Sequence, residues 1–185
     1  MERIYRIVAH LIFFVILPPQ IIIALEITDS SDFSSGIHIV KEQDFPASYQ
    51  MGYQVAQGVE FSTVKGFCTG IEGTVARVKA SVVNDGAVYR GFVALGGRIH
   101  AGYIHPAALF NLIRPGISGA VTAQFARYSG TTLLFFFMSV AVSPSASFQL
   151  SDGVSCRLSL PVSYSFRREL LFHISFGLSA AFLIG

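Results

Sequence analysis

Residues 154–166 read Val154-Ser155-Cys156-Arg157-Leu158-Ser159-Leu160-Pro161-Val162-Ser163-Tyr164-Ser165-Phe166. Every even position is apolar, and every odd position between them is Ser, Arg or Pro. A period of two is the mark of a strand, whose successive side chains point to opposite faces. The phase extends in both directions. The serines from 139 to 179 are Ser139, Ser143, Ser145, Ser147, Ser151, Ser155, Ser159, Ser163, Ser165, Ser175 and Ser179, all odd-numbered. Eleven residues sharing one parity would arise by chance about once in a thousand trials, so the β period is real. It also survives the charged break Arg167-Arg168-Glu169. Even positions from 170 on are Leu170, Phe172, Ile174, Phe176, Leu178, Ala180, Phe182 and Ile184. The odd side holds His173, Ser175, Gly177 and Ser179, with Leu171 and Leu183 as exceptions. A transmembrane helix is the competing reading. Leu170–Gly185 would rise only about 24 Å as a helix, short of the ~30 Å hydrocarbon core. A helix also has no reason to sort side chains by parity, so two strands joined by a charged turn fit better.

Upstream, Ala76, Val78, Ala80 and Val82 alternate with Arg77, Lys79 and Ser81. Asn84-Asp85-Gly86 then signals a turn, and Val88–Leu95 reads as the return strand. Ile99–Ile104 looks like a further strand, Pro106–Ile113 like a helical turn, and Val121–Tyr128 and Leu133–Val142 like strands around Ser129-Gly130. Residues 61–185 are thus expected to form a single antiparallel β domain. Residues 25–60 read as a polar N-terminal arm, because Glu26–Asp44 is rich in acids and serines. A sharper reading makes Gly36–Val40 a short strand lent to a neighbouring subunit. Residues 1–24 have the makings of a signal peptide: Arg3 and Arg6, an uncharged apolar run, the breaker Pro18-Pro19 and the small residue Ala24. Cleavage there would begin the mature chain near Leu25, whereas an uncleaved anchor is the rival.

The composition agrees. Of 185 residues 52% are apolar and 13% charged, and mean hydropathy is +0.57, which excludes a disordered chain. The 17 glycines show no three-residue period, which excludes collagen. A net charge of +2 gives no footprint for nucleic acid. So much apolar surface with so little charge points to a membrane or to export.

The segment Leu158–Phe166, the charged turn and Leu170–Leu178 together resemble a hairpin of a bacterial outer-membrane β-barrel. The resemblance implies a lipid-facing set of Leu160, Val162, Tyr164, Phe166, Phe172, Ile174 and Phe176, with Tyr164 and Phe166 at the interface beside the turn. It implies an all-β, antiparallel, barrel-like fold, exported to the outer membrane or cell surface, with the lipid bilayer as partner. The terminal alternating strand and two cysteines are also similar to chaperone–usher fimbrial subunits. That second likeness implies an immunoglobulin-like β-sandwich and neighbouring subunits of a surface assembly. A helical integral membrane protein stands third.

Catalytic chemistry is scarce. No carboxylate lies between Asp85 and Asp152, the stretch holding His100 and His105. Those two histidines read as surface or turn residues, since neither has a nearby acid or thiol to complete a catalytic or metal set. Gly66, Gly70 and Gly73 form no phosphate-binding fingerprint. No enzyme activity, metal, cofactor, nucleic acid or small-molecule substrate is expected. Arg90, Arg98, Arg114 and Arg127 occur with no acid among residues 86–151. They read either as scattered surface charges or as a basic face toward anionic lipid or glycan. Phe135-Phe136-Phe137 reads as core or lipid contact. Cys68 and Cys156 are the only thiols and a candidate disulfide. In a barrel, however, Cys156 shares its face with Leu158 and Leu160, which meet lipid.

Overall fold

The computed structural model describes residues 25–43, 46–82, 88–109 and 112–185. The expected signal peptide and the Asn84-Asp85-Gly86 turn lie outside them. The described chain is built of antiparallel strands: β1 (Leu25–Lys41), β2 (Ser48–Thr63), β3 (Phe67–Val78), β4 (Ser81–Val82), β5 (Val88–Tyr89), β6 (Phe92–Ile104), β7 (Ile113–Tyr128), β8 (Leu134–Ser151), β9 (Val154–Ser159), β10 (Val162–Phe166) and β11 (Phe172–Ile184). Strands β4 and β5 pair as a separate two-stranded sheet. The others form one sheet, ordered β1-β2-β3-β6-β7-β8-β10-β11-β9, in which β11 also pairs with β1. Strands β9 and β10 follow one another along the same gap between β8 and β11, interrupted at Leu160-Pro161. Proline has no N–H for the ladder, which accounts for the interruption. The wall therefore has eight strand positions and no free edge.

Closure removes two of the alternatives. A sandwich needs two sheets packed face to face, whereas here one sheet closes on itself, so the immunoglobulin-like reading is corrected. Helical membrane insertion is corrected too. Residues 172–184 are strand, and no helix among the described residues is long and apolar enough to cross a membrane.

Residues 25–60, expected as a polar arm, form β1 and most of β2. Gly36–Val40 pairs in the same chain, with Ile37 opposite Phe176 on one side and Met51 on the other. It is not lent to a neighbour. Strand β1 is polar because one of its faces looks into a polar interior. Of the segment Pro106–Ile113, expected as a helical turn, residues 110–111 lie outside the described residues; on either side of them Leu109 and Ile113 are bridged to each other.

Both termini of the described barrel lie at one end, where β2 meets β3, β6 meets β7 and β8 meets β9; the strand ends that lead from β1 to β2, β3 to β6, β7 to β8 and β10 to β11 lie at the other, here called the loop end. Gly153 (φ 75°) closes the two-residue turn from β8 to β9, in a left-handed conformation that Gly adopts without penalty. The shortest full-length strand, β3, has 12 residues. Tilted as barrel strands are, it rises about 30 Å, enough to cross a bilayer.

Candidate functional site: a polar lumen behind an apolar outer wall

The strand period places polar side chains inside and apolar ones outside, the reverse of a water-soluble domain. On β3, Cys68, Glu72, Thr74, Ala76 and Val78 are buried while Ile71, Val75 and Arg77 are exposed. The same alternation recurs around the wall. Phe33, Val55, Ile99, Val121, Phe125, Val140 and Leu178 are among the large apolar residues with 43% or more of their surface open. Contiguous apolar surface on this scale marks contact with membrane or partner. Outward aromatics stand near both ends: Tyr49, Tyr53, Tyr164 and Phe166 toward the loops, Phe67 and Phe182 toward the termini.

Seven residues were expected to face lipid. Leu160, Val162, Tyr164, Phe166 and Phe176 are between 37% and 57% exposed; Phe172 and Ile174 lie on the same outward phase of β11 but are half-buried. Cys68 and Cys156 are free thiols. Cys68 looks inward from β3, whereas Cys156 stands between Phe148 and Phe182 on the outward phase of β9. The candidate disulfide is corrected accordingly, since the wall separates the two sulfurs.

Toward the terminus end the lumen is crossed by a continuous ion-pair network. Arg157 (β9) donates from Nη1 and Nη2 to the two oxygens of Glu60 (β2), each at 2.6 Å. Such a two-pronged guanidinium–carboxylate contact fixes orientation as well as charge. His100 (β6) lies 3.0 Å from Glu60 through Nε2, and its Nδ1 is 3.7 Å from Glu72 (β3). Arg98 (β6) joins Glu72 to Asp32 (β1) through Nε and Nη2. Ser30 donates to Glu72 at 2.7 Å, and Ser179 (β11) donates to Asp32. Six of the eight wall positions are tied together in this way. His100, expected at the surface, is 8% exposed in the network; His105 is the exposed turn residue it was expected to be.

Sequence reading overlooked this cluster because its acids, Asp32, Glu60 and Glu72, precede the histidine by 28 residues or more. One signal was present: Arg157 occupies the serine parity of its strand, which assigns it to the lumen. Ser30 is bonded to Glu72 and not to His100, so the cluster presents no activated nucleophile. Among the described residues no group of His, Cys, Asp and Glu is placed to hold a metal ion.

Toward the loop end the lumen holds a packed apolar plug. Ala76, Val78, Phe92, Ala94, Ala126 and Phe137 form a buried cluster, and Phe135 and Tyr128 pack on it. The Arg167 guanidinium lies 4.6 Å from the Phe135 ring centroid and 5.1 Å from that of Phe92, and bonds the Tyr128 hydroxyl at 2.6 Å. Beside the plug, His38 and His173 meet at 2.9 Å. Between network and plug is a cavity of about 160 Å³, bordered by Ser139, Ala141, Ser143, Ser163, Ser175 and Gly177 among others. Seven of the eleven odd-numbered serines thus line this cavity, on β8 to β11.

This architecture, a closed eight-position barrel with polar lumen and apolar outer face, resembles the fold of small outer-membrane β-barrel proteins. The crystal structure of Neisserial surface protein A is similar with a TM-score of 0.59, at 11% identity over 86% of this chain and 97% of that one. Ail, the attachment invasion locus protein of Yersinia pestis (TM-score 0.46, 11% identity, 86% and 99% covered), is also similar. So is the N-terminal β-barrel domain of Pseudomonas aeruginosa OprF (0.44, 10%, 86% and 100%). The first of these shows the likeness in fold. No protein-family model and no curated protein sequence matches the chain.

Proposed function

We propose that this is an exported, non-enzymatic envelope protein, embedded in the outer membrane through its barrel wall and presenting its loop end at the cell surface. The observation that carries the reading is the inverted distribution of side chains. Buried ion pairs and hydroxyls fill the inside, while an apolar belt with aromatics near both ends covers the outside. Bilayer contact is the environment that makes such a wall favourable. The ion-pair network and the aromatic plug both reach across the lumen, which favours a surface or structural role over permeation. Residues 1–24 act in this reading as the export signal. N-terminal sequencing of envelope protein should find a start near Leu25; retention of Met1 would mean an anchor instead.

The reading is tested by separating inner from outer membranes and comparing the migration of boiled and unboiled protein on a detergent gel. Outer-membrane fractionation with altered migration of the unboiled form is expected. Soluble or inner-membrane protein, with one migration in both samples, would overturn it.

A further inference from the structure

We propose that Arg77 and Arg127, on the outer wall near the loop end, form a binding site for the phosphate of an anionic lipid. The inference deepens the proposed membrane embedding and rests on it. Across β2, β3, β6, β7 and β8, one row of paired outward residues runs Tyr53, Arg77, Val93, Arg127, Leu134. The two arginines flank Val93, two strand spacings or about 10 Å apart, so both flexible side chains can converge on one headgroup. Arg90 and Arg127, scattered in sequence, end up on neighbouring strand ends with Arg77 and Lys79. All four are exposed, and none of them has an ion pair among the described residues.

The surroundings favour a lipid over a soluble anion. The next outward row toward the termini is wholly apolar: Val55, Val75, Leu95, Phe125 and Phe136, each at least 50% exposed. Beyond it come Gly73, Gly97 and Ala123. A Cβ added at Gly73 or Gly97 would meet no atom closer than 3.6 Å, so these glycines leave a shallow dip instead of relieving a clash. A guanidinium pair directly above apolar wall matches a phosphate joined to acyl chains. Charge placement agrees. Among described strand residues, the outward phase carries Lys41, Arg77 and Arg127 toward the loop end and only Asp29 toward the other. With no counter-ion among the described residues, an arginine at the membrane interface is well satisfied by a lipid phosphate, to which its fork is matched.

The test uses the full chain in nanodiscs of phosphatidylcholine with a minor fraction of phosphatidylglycerol, reading retained lipid by native mass spectrometry. Each of Arg77→Gln and Arg127→Gln should weaken phosphatidylglycerol retention about fivefold, and the pair roughly 30-fold. Arg114→Gln, exposed at the terminus end, should leave retention unchanged. Altered migration of unboiled protein monitors folding separately. If wild type shows no such form, the barrel reading itself fails. Folded wild type that retains no phosphatidylglycerol overturns this proposal alone. So does equal retention by folded Arg77→Gln and Arg127→Gln variants, or an equal loss in Arg114→Gln. Displacement of the lipid by an equal concentration of inorganic phosphate would show a soluble-anion site and overturn the lipid assignment. If the double variant does not fold, the single variants decide by the same criterion.

Discussion

Arg157 and Glu60 are 97 residues apart in sequence and meet through two 2.6 Å hydrogen bonds inside the barrel. A buried pair of this kind is most informative when one partner is removed, because the remaining charge is left without compensation. Arg157→Ala is expected to destabilise the barrel by ~3–5 kcal/mol, measured by urea unfolding in lipid vesicles. Replacing both Arg157 and Glu60 with apolar residues of similar volume should cost much less than the single change. The cysteines provide a second check at this scale. Alkylation under denaturing, non-reducing conditions should add two labels per chain, one each at Cys68 and Cys156. No label without reductant would mean that they are bridged. The partners of His100 were illegible in the sequence for a physical reason: an antiparallel barrel brings neighbouring strands into register across long separations, and nothing local to His100 records it.

At the scale of the strand, parity carries most of the information. Leu160 and Phe176 are outward and exposed, whereas Ser163 and Ser175 bond each other at 2.6 Å across the lumenal face of β10 and β11. Leu160→Arg and Phe176→Arg should each destabilise by ~2–4 kcal/mol near mid-membrane, and Ser163→Arg and Ser175→Arg by less, as the cavity beside them can receive the new side chain. Equilibrium unfolding of the four variants in vesicles compares them. The strands from β7 onward were legible because serine marks the lumen and large apolar residues mark the outside. Strand β1 was not. Ser31 and Ser35 lie on its outward phase and Ser30, Asp32 and Ser34 on the inward one, so both faces look polar and the stretch imitates a solvated arm. Its identity as a strand comes from pairing with β2 and β11 along nearly its whole length.

The whole molecule adds closure, which no single strand encodes. In antiparallel register Ser35 stands opposite Leu178, joining the first strand to the last. Cysteines at directly opposed positions are within disulfide reach. In a Cys68→Ser, Cys156→Ala background, oxidation of Ser35→Cys with Leu178→Cys should give a bridge within one chain and no covalent dimer. A covalent dimer would mean that β1 is supplied by another copy, as strand donation requires. Closure also explains why the sandwich and barrel readings were hard to separate by sequence. Both bury one parity and expose the other, and only the pairing of β1 with β11 distinguishes a ring from two packed sheets.

The most direct measurement compares the two parities from the bilayer side. In the same cysteine-free background, single cysteines at Leu160, Phe176, Ser163 and Ser175 are exposed to a thiol reagent confined to the hydrocarbon layer of the membrane. The barrel predicts labelling of Leu160→Cys and Phe176→Cys, and none of Ser163→Cys or Ser175→Cys. Equal labelling of all four, or labelling of the odd positions alone, would contradict a wall whose apolar face meets lipid.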